Sequence, residues 1–356
     1  MNTYGTHLRL TTYGESHGPA IGGILDGFRP SIAIDAEAVQ RQLDRRRPGQ
    51  SRLTTARKEG DKVEFLSGIF EGRTTGTPIA FEIRNSDQRS SDYDRLRTTF
   101  RPSHADFAYA YKYGVRDHRG GGRSSARETA ARVVGGALAQ QALAQVGCKV
   151  QAYTQAIGTI SLSTPYTELD LALTDSNDVR CPDPDTARKM ESAILEARSL
   201  GDSLGGVVEC VITGCPAGLG SPVFDKLQAL LAHAMLSIGA VKGFEYGMGF
   251  DGCHRHGSEV IDAYPAETGP RRPRPLTNYS GGIQGGISTG EDIYMRVAFK
   301  PVATLGQSVA AIADDGQAVQ LMAGGRHDPC VVPRAIPIVE AMAALTIYDQ
   351  LLALGR

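Results

Sequence analysis

The chain has 356 residues, long enough for one large domain or two modest ones with a sizeable core. Its 38 basic and 39 acidic residues nearly cancel, which argues against a general nucleic-acid binder, since those carry a clear basic excess. Six scattered cysteines (Cys148, Cys181, Cys210, Cys215, Cys253, Cys330) form no C-x-x-C pair, so neither a zinc knuckle nor a disulfide framework is expected.

The first residues lack the basic-then-apolar order of a signal peptide. No apolar run is expected to approach the roughly 20 residues a bilayer span needs. The expectation is a soluble, cytoplasmic protein with no membrane partner and no metal. Leu8 and Leu10 alternate with polar neighbours and predict a strand running into Gly14. A second extended run is expected from Ala20 to Leu25, and strands broken by Gly and Pro turns from about 62 to 84. From about 125 to 146 the apolar residues Ala130, Val133, Val134, Ala137 and Leu138 share one helical face. Ser125 with Glu128 reads as a capping box at its start. Gly135 and Gly136 inside that helix cost about 1 kcal/mol each relative to Ala, so close packing against another backbone is expected to compensate.

A Pro-containing loop surrounds Cys181–Pro184, followed by an amphipathic helix with Met190, Ala193, Ile194 and Ala197 on one side. Val207–Thr213 reads as a strand, and a helix is expected from about Val223 to Ile238. Asp292–Phe299 alternates like a strand and ends at Lys300. The last helix, from about Ala335 to Leu354, is apolar nearly all round and so should be buried. Strands cluster with helices between them, without regular βαβα alternation. The class is therefore α+β. No linker divides the chain, and a single domain over 1–356 is expected.

Arginine is concentrated in four stretches: Arg45, Arg46, Arg47 and Arg52; Arg101 beside His104; Arg119, Arg123 and Arg127; and Arg326 beside His327 and Asp328. They read as Gly- or Pro-rich loops, and for Arg45–Arg47 alone solvated surface charge is the simpler reading. The third stretch, RGGGRSSARE, is harder to assign to surface. Its glycines free the backbone, its serines open a helix, and a helix N-terminus offers unpaired N–H groups to an anion. Arginine adds bidentate donors matched to phosphate or carboxylate. It is not a P-loop, because the G-K-[ST] ending is missing. These features imply a small multi-anionic ligand held by several loops.

Among the eight histidines, His233 falls in a helix and reads as structural, and His254-x-His256 lacks evident partner ligands. His17 and His104 fall in polar loops and could move protons near neutral pH. Each is as readily structural as catalytic until its neighbours are known. Gly14-Glu15-Ser16-His17-Gly18 formally fits the G-x-S-x-G nucleophile elbow, which requires strand, sharp turn and helix. Here the downstream PAIGGILDG suits another strand, so a serine hydrolase built on Ser16 is a weak alternative.

Taken together, the motifs resemble one family along essentially the whole chain: chorismate synthase. The stretches are GESHGPAIGGILDGFRP, DRRRPGQSRLTT, TGTPIAFEIRNSDQRSSDY, FRPSHADFAYAYKYGVRDHRGGGRSSARETAARV, CPDPD, GDSLGGVVE, NYSGGIQGGISTG and GGRHDPCVVPRAIPIVEAM, in order. The resemblance implies conversion of 5-enolpyruvylshikimate 3-phosphate to chorismate by anti-1,4 elimination of phosphate. It also implies a requirement for reduced FMN without net redox change. Such substrates account for basic loops in a chain of near-zero net charge.

The resemblance further implies roles. Asp328 helps pass the ring proton to the flavin, His17 protonates the departing phosphate with Ser16 as hydrogen-bond partner, and His104 stands beside the reduced flavin. Arg46, Arg101, Arg127 and Arg326 resemble substrate clamps, and Arg52 faces the flavin or a reducing nucleotide. FMN contacts are implied for Arg123, Ser124, Ser125, Gly239, Ala240, Gly285, Lys300, Pro301, Val302, Ala303, Thr304 and Arg326. Two departures stand out. Gly239 replaces a frequent Asn, and Val302-Ala303 cannot donate through side chains. Slightly altered flavin affinity is expected from both. No G-x-G-x-x-G follows a strand, so NADPH is expected only as an indirect source of electrons. The implied fold is a β-α-β sandwich with helices between antiparallel sheets, assembled as a homotetramer. A non-catalytic phosphometabolite-binding module is the remaining alternative.

Overall fold

The computed structural model describes residues 1–54, 60–86, 96–266, 274–322 and 328–355. The first part of the chain runs β1 (Thr3–Tyr4), β2 (Arg9–Gly14), β3 (Ala20–Asp26), α1 (Ala36–Arg46), β4 (Val63–Phe65), β5 (Ile69–Phe70), β6 (Arg73–Thr74), β7 (Ile79–Arg84), β8 (Thr99–Phe100), α2 (Asp106–Tyr113) and α3 (Thr129–Ala144). The second part runs β9 (Lys149–Ile157), β10 (Ile160–Ser161), α4 (Pro184–Ser199), β11 (Gly206–Thr213), α5 (Leu227–Leu236), β12 (Val241–Tyr246), β13 (Ile283–Gln284), β14 (Ile287–Ser288), β15 (Ile293–Phe299), β16 (Ser308–Ala313), β17 (Ala318–Met322) and α6 (Val332–Ala353).

Two five-stranded sheets, ordered β1-β2-β3-β7-β4 and β10-β9-β11-β15-β12, form the outer layers. Every ladder between these strands is antiparallel. Helices lie between the sheets. α3 packs on β2 and β3, α6 on β9 and β11, α5 on β12, and α1 on both α3 and α6. The fold is the expected α+β sandwich. Its strands follow from their patterns: Ile293, Met295, Val297 and Phe299 of β15 point inward while Tyr294, Arg296 and Ala298 do not.

α6 is the centre of the helical layer. Contrary to the expectation of no span-length apolar run, it is long and apolar enough to cross a membrane; it is buried along its length and lies inside the protein instead. Pro337 within it has no N–H for the carbonyl of Pro333 four residues earlier. Arg180 Nη1 donates to that carbonyl at 2.5 Å instead. Gly136 is where α3 meets α6: a Cβ there would stand 2.2 Å from the Ala341 Cβ. The expected close approach to another backbone is thus present at Gly136, against Ala341 of α6, but not at Gly135, whose nearest neighbours are the side chains of Leu10 and Leu345.

Three local expectations need correction. Ser125 and Glu128 do not form a capping box. Ser125 caps a short 3-10 turn, Ala126–Glu128, and α3 begins only at Thr129. Glu128 pairs with Arg132 at 2.9 Å instead, and both line the cavity described below. The helix expected from Val223 starts at Leu227, because Phe224, at 90% exposed, has no core to face. Arg45 and Arg46 are the last turn of α1 rather than a solvated loop, and Arg46 is 2% exposed.

Replacing Gly136 by Ala should oppose helix propensity. Ala favours the helix by about 1 kcal/mol, yet the methyl would force α3 and α6 apart. A net loss of about 1–3 kcal/mol is expected, read as a lower denaturation midpoint in urea; a midpoint equal to or above wild type would refute the close-contact account.

Candidate active site

A cavity of about 990 Å³ opens where the sandwich's loops converge. The sheet ends supply Thr12 of β2, Gly239 and Ala240 before β12, and Lys300–Ala303 after β15. The segment leading into α3 supplies Arg123–Ala126, and the start of α6 supplies Asp328 and Arg334. Ser103 and His104 complete this side.

Backbone and side-chain bonds hold these groups in place. Arg123 donates to Thr12 Oγ1 at 2.6 Å, and to the carbonyls of Thr12 and Gly14, each at 3.2 Å. Ser124 Oγ donates to the Gly121 carbonyl at 2.7 Å. His104 Nε2 and Thr304 Oγ1 are 2.9 Å apart, and Lys300 Nζ donates to the Ser103 carbonyl at 3.0 Å. Asp328 pairs with Arg334, whose Nε donates to the Arg46 carbonyl at 3.0 Å.

Beneath the segment lies a fully buried ion triad. Asp61 receives Arg46 Nη1 on Oδ2 at 3.0 Å and Arg127 Nη1 on Oδ1. Arg46 also donates to Thr129 Oγ1 at 3.1 Å, and Arg127 to Asn85 Oδ1 at 2.9 Å. Burial alone would push the Asp61 carboxyl up, but the two guanidinium groups outweigh it and hold it below the usual carboxylate range. Burial pushes Arg46 down to about 10 despite Asp61. Arg101 is similarly engaged, with Asp106 at 2.8 and 2.9 Å.

Family comparisons agree with this architecture. The model of the family described as chorismate synthase matches residues 8–352. The chain belongs to the chorismate synthase family. Chorismate synthase of Parabacteroides distasonis is 58% identical over 352 residues, covering 99% of this chain and 98% of that protein. The chorismate synthase of Bacteroides fragilis is also 58% identical, with the same coverage. A crystal structure of chorismate synthase superimposes with a TM-score of 0.75 at 30% identity, covering 99% of this chain and 93% of that one. Like these chorismate synthases, the chain is a lyase, and it acts on a small-molecule substrate.

Of the residues that the chorismate synthase resemblance singles out, the cavity brings together Arg46, His104, Arg123, Ser124, Ser125, Gly239, Ala240, Lys300, Pro301, Val302, Ala303 and Asp328. Thr304 joins them through His104. Ser16 and His17 do not line it. They are buried beneath the glycine loop, where a Cβ on Gly120 (φ +65°) would meet His17 Cδ2 at 2.5 Å and Ser16 Oγ at 2.8 Å. Ser16 Oγ donates weakly to the Arg119 carbonyl at 3.4 Å, and its strand leads to another strand, not to the helix of an elbow. Arg101 and Arg127 also stand behind the wall. Arg52 is 67% exposed and pairs with Glu191 of α4, away from the cavity. Gly285 turns the β13–β14 hairpin, outside the lining. Arg326 lies outside the described residues.

The cavity also includes residues that sequence reading missed. Tyr4, Arg132 and His233 form its far end, with the Tyr4 and His233 rings 5.8 Å apart. His233 reads as a plain helical residue, and nothing in its own segment announces that the N-terminus folds over it. Arg334 was missed because the last helix was expected to start at Ala335; α6 starts at Val332, which puts this cation in the first turn, where the dipole favours an acid.

The donor set fits a flavin phosphate. Arg123, Lys300, Ser124 and Ser125 supply anion-binding donors, while Ile238, Phe299, Val302 and Met342 offer an apolar wall for a flat ring. A Cβ built at Gly239 meets nothing within 4 Å, so close packing does not demand a glycine there.

Asp61→Asn should leave two buried guanidinium groups uncompensated, costing about 3–5 kcal/mol. Because the folded carboxyl is lowered, its contribution is complete above the ordinary value of about 3.9 and fades as pH falls through the folded value. The gap in melting temperature between wild type and Asp61→Asn should therefore be wide at pH 7 and narrow on acidification below pH ~3.9. A gap independent of pH would contradict the charged triad.

Proposed function

We propose that the chain eliminates phosphate from 5-enolpyruvylshikimate 3-phosphate in an anti-1,4 sense to give chorismate, using bound reduced FMN. The observation that carries this reading is the cavity itself: cationic donors, an apolar wall, a histidine and a carboxylate converge in one space of about 990 Å³ in a member of this family. When bound, reduced FMN supplies transient electron density as the C–O bond to phosphate breaks.

The chain's own residues hold the anions and move the protons. Arg123, Ser124, Ser125, Lys300 and Thr304 bind the flavin phosphate and ring edge, with Gly239, Ala240 and Pro301–Ala303 giving backbone and apolar contact. Arg46, Arg101, Arg127 and Arg326 serve the substrate's carboxylates and phosphate. Arg46, Arg101 and Arg127 do so largely by shaping the wall, since Asp61 and Asp106 already engage their guanidinium groups. His104 stands beside the flavin with its Nε2 fixed by Thr304. Asp328 helps remove the proton lost from the ring carbon. His17 gives a proton to the departing phosphate from beneath the glycine loop, with Ser16 as its neighbour. Arg52 acts from outside this cavity, toward the flavin or a reducing nucleotide, and Gly285, also outside it, toward the flavin. We place the enzyme in the shikimate pathway leading to aromatic amino acids, in the cytoplasm, as a single-domain chain in a homotetramer. An external source, with NADPH acting only indirectly, reduces the flavin.

His17→Ala and His104→Ala should each slow anaerobic turnover by roughly 100- to 10,000-fold, the scale of losing a general acid or base. Turnover at the wild-type rate in both variants, measured with reduced FMN in excess, would refute their assignment.

A further inference from the structure

We infer that Arg334 is a positioning residue for the reaction, setting the orientation of the Asp328 carboxylate at the cavity wall. The inference rests on the proton role proposed above for Asp328. Both residues line the cavity, and Arg334 Nη1 donates to Asp328 Oδ2. The pair is nearly shut off from solvent, with side chains 14% and 9% exposed. A buried, charge-assisted bond of this kind fixes a rotamer more tightly than a surface pair.

Helix chemistry makes the placement informative. Arg334 is the third residue of α6, and the first turn of this helix contains no acidic residue. The positive end of the helix dipole disfavours a cation there by roughly 0.3–1 kcal/mol. No side chain caps the helix at Val331 either. A local rule broken in this way is most often found at functional sites, and the only carboxylate bonded to Arg334 among the described residues is Asp328. The other end of the guanidinium is anchored too, because Nε donates to the Arg46 carbonyl at 3.0 Å. That second bond ties Arg334 to the C-terminus of α1 and so to the buried triad. Arg334 is held at one end by the fold and holds Asp328 with the other.

A purely structural Arg334 would affect stability and leave the chemistry alone. A positioning Arg334 acts through Asp328, and this separates the two roles. In anaerobic assays with reduced FMN, Arg334→Gln should lower kcat by up to about 100-fold, the cost of a small misplacement of a reacting group, with KM nearly unchanged. Arg334→Lys should recover part of the loss, and guanidinium ion should partly rescue Arg334→Ala. The double variant Asp328→Asn/Arg334→Gln should be no slower than Asp328→Asn alone. Normal kcat in Arg334→Gln, or a double variant whose loss is the product of the single losses, would overturn the inference while leaving a slow Asp328→Asn as support for the proposed function. Wild-type turnover in Asp328→Asn would overturn both. If Arg334→Gln does not fold, Arg334→Lys and guanidinium-treated Arg334→Ala decide: their turnover must respond to the restored charge, and indifference to it refutes the role.

Discussion

The burial of Asp61 between Arg46 and Arg127 is the constraint on which the site depends. One carboxylate answers two guanidinium groups that arrive from different parts of the chain, the end of α1 and the turn before α3. Charges this deep are tolerated only when paired and hydrogen-bonded on every side. Thr129, Asn85 and the Ala126 carbonyl supply the remaining partners. The triad therefore fixes where Arg123–Ala126 can lie, and that segment is one wall of the cavity. Asp61 itself adopts a left-handed backbone conformation, φ +41°, which Asp tolerates better than most residues.

Around this anchor, close approach does the rest. The helical layer is thin because Gly136 lets α3 rest directly on α6. The glycine loop is thin for the same reason, and Gly120 leaves no room for a side chain above His17. The arginines of the basic loops then fall into two groups. Arg46, Arg101 and Arg127 hold carboxylates of the protein and build the wall. Arg123 bonds to two backbone carbonyls and to the Thr12 and Asn2 side-chain oxygens, Lys300 to the Ser103 carbonyl, and these neutral acceptors leave positive charge available to an incoming anion.

Much of this was legible in the sequence. β2 and β15 carried their alternation openly, β3 and β11 showed as extended runs, and α6 declared its burial by being apolar all round. The donor-rich make-up of RGGGRSSARE was readable from residue types alone, and the fold puts its Arg123, Ser124 and Ser125 on the cavity wall. What could not be read was proximity. Asp61 sits in an unremarkable Gly-Asp-Lys stretch, and only the fold shows that it neutralises two arginines 15 and 66 positions away. Arg46 looked like surface charge because three adjacent arginines usually are. The β8–β16–β17 sheet was missed because Ser308–Ala313 is a short, Ala-rich strand with both faces partly exposed. The far end of the cavity was missed because the N-terminal segment and α5 meet only in three dimensions.

The measurement that bears most directly on the central claim is anaerobic phosphate release from 5-enolpyruvylshikimate 3-phosphate, with and without dithionite-reduced FMN, while chorismate absorbance is followed. The account predicts release only with reduced FMN, in equal amounts with chorismate. Phosphate release without reduced FMN, or none at all from folded protein with flavin bound, would contradict it.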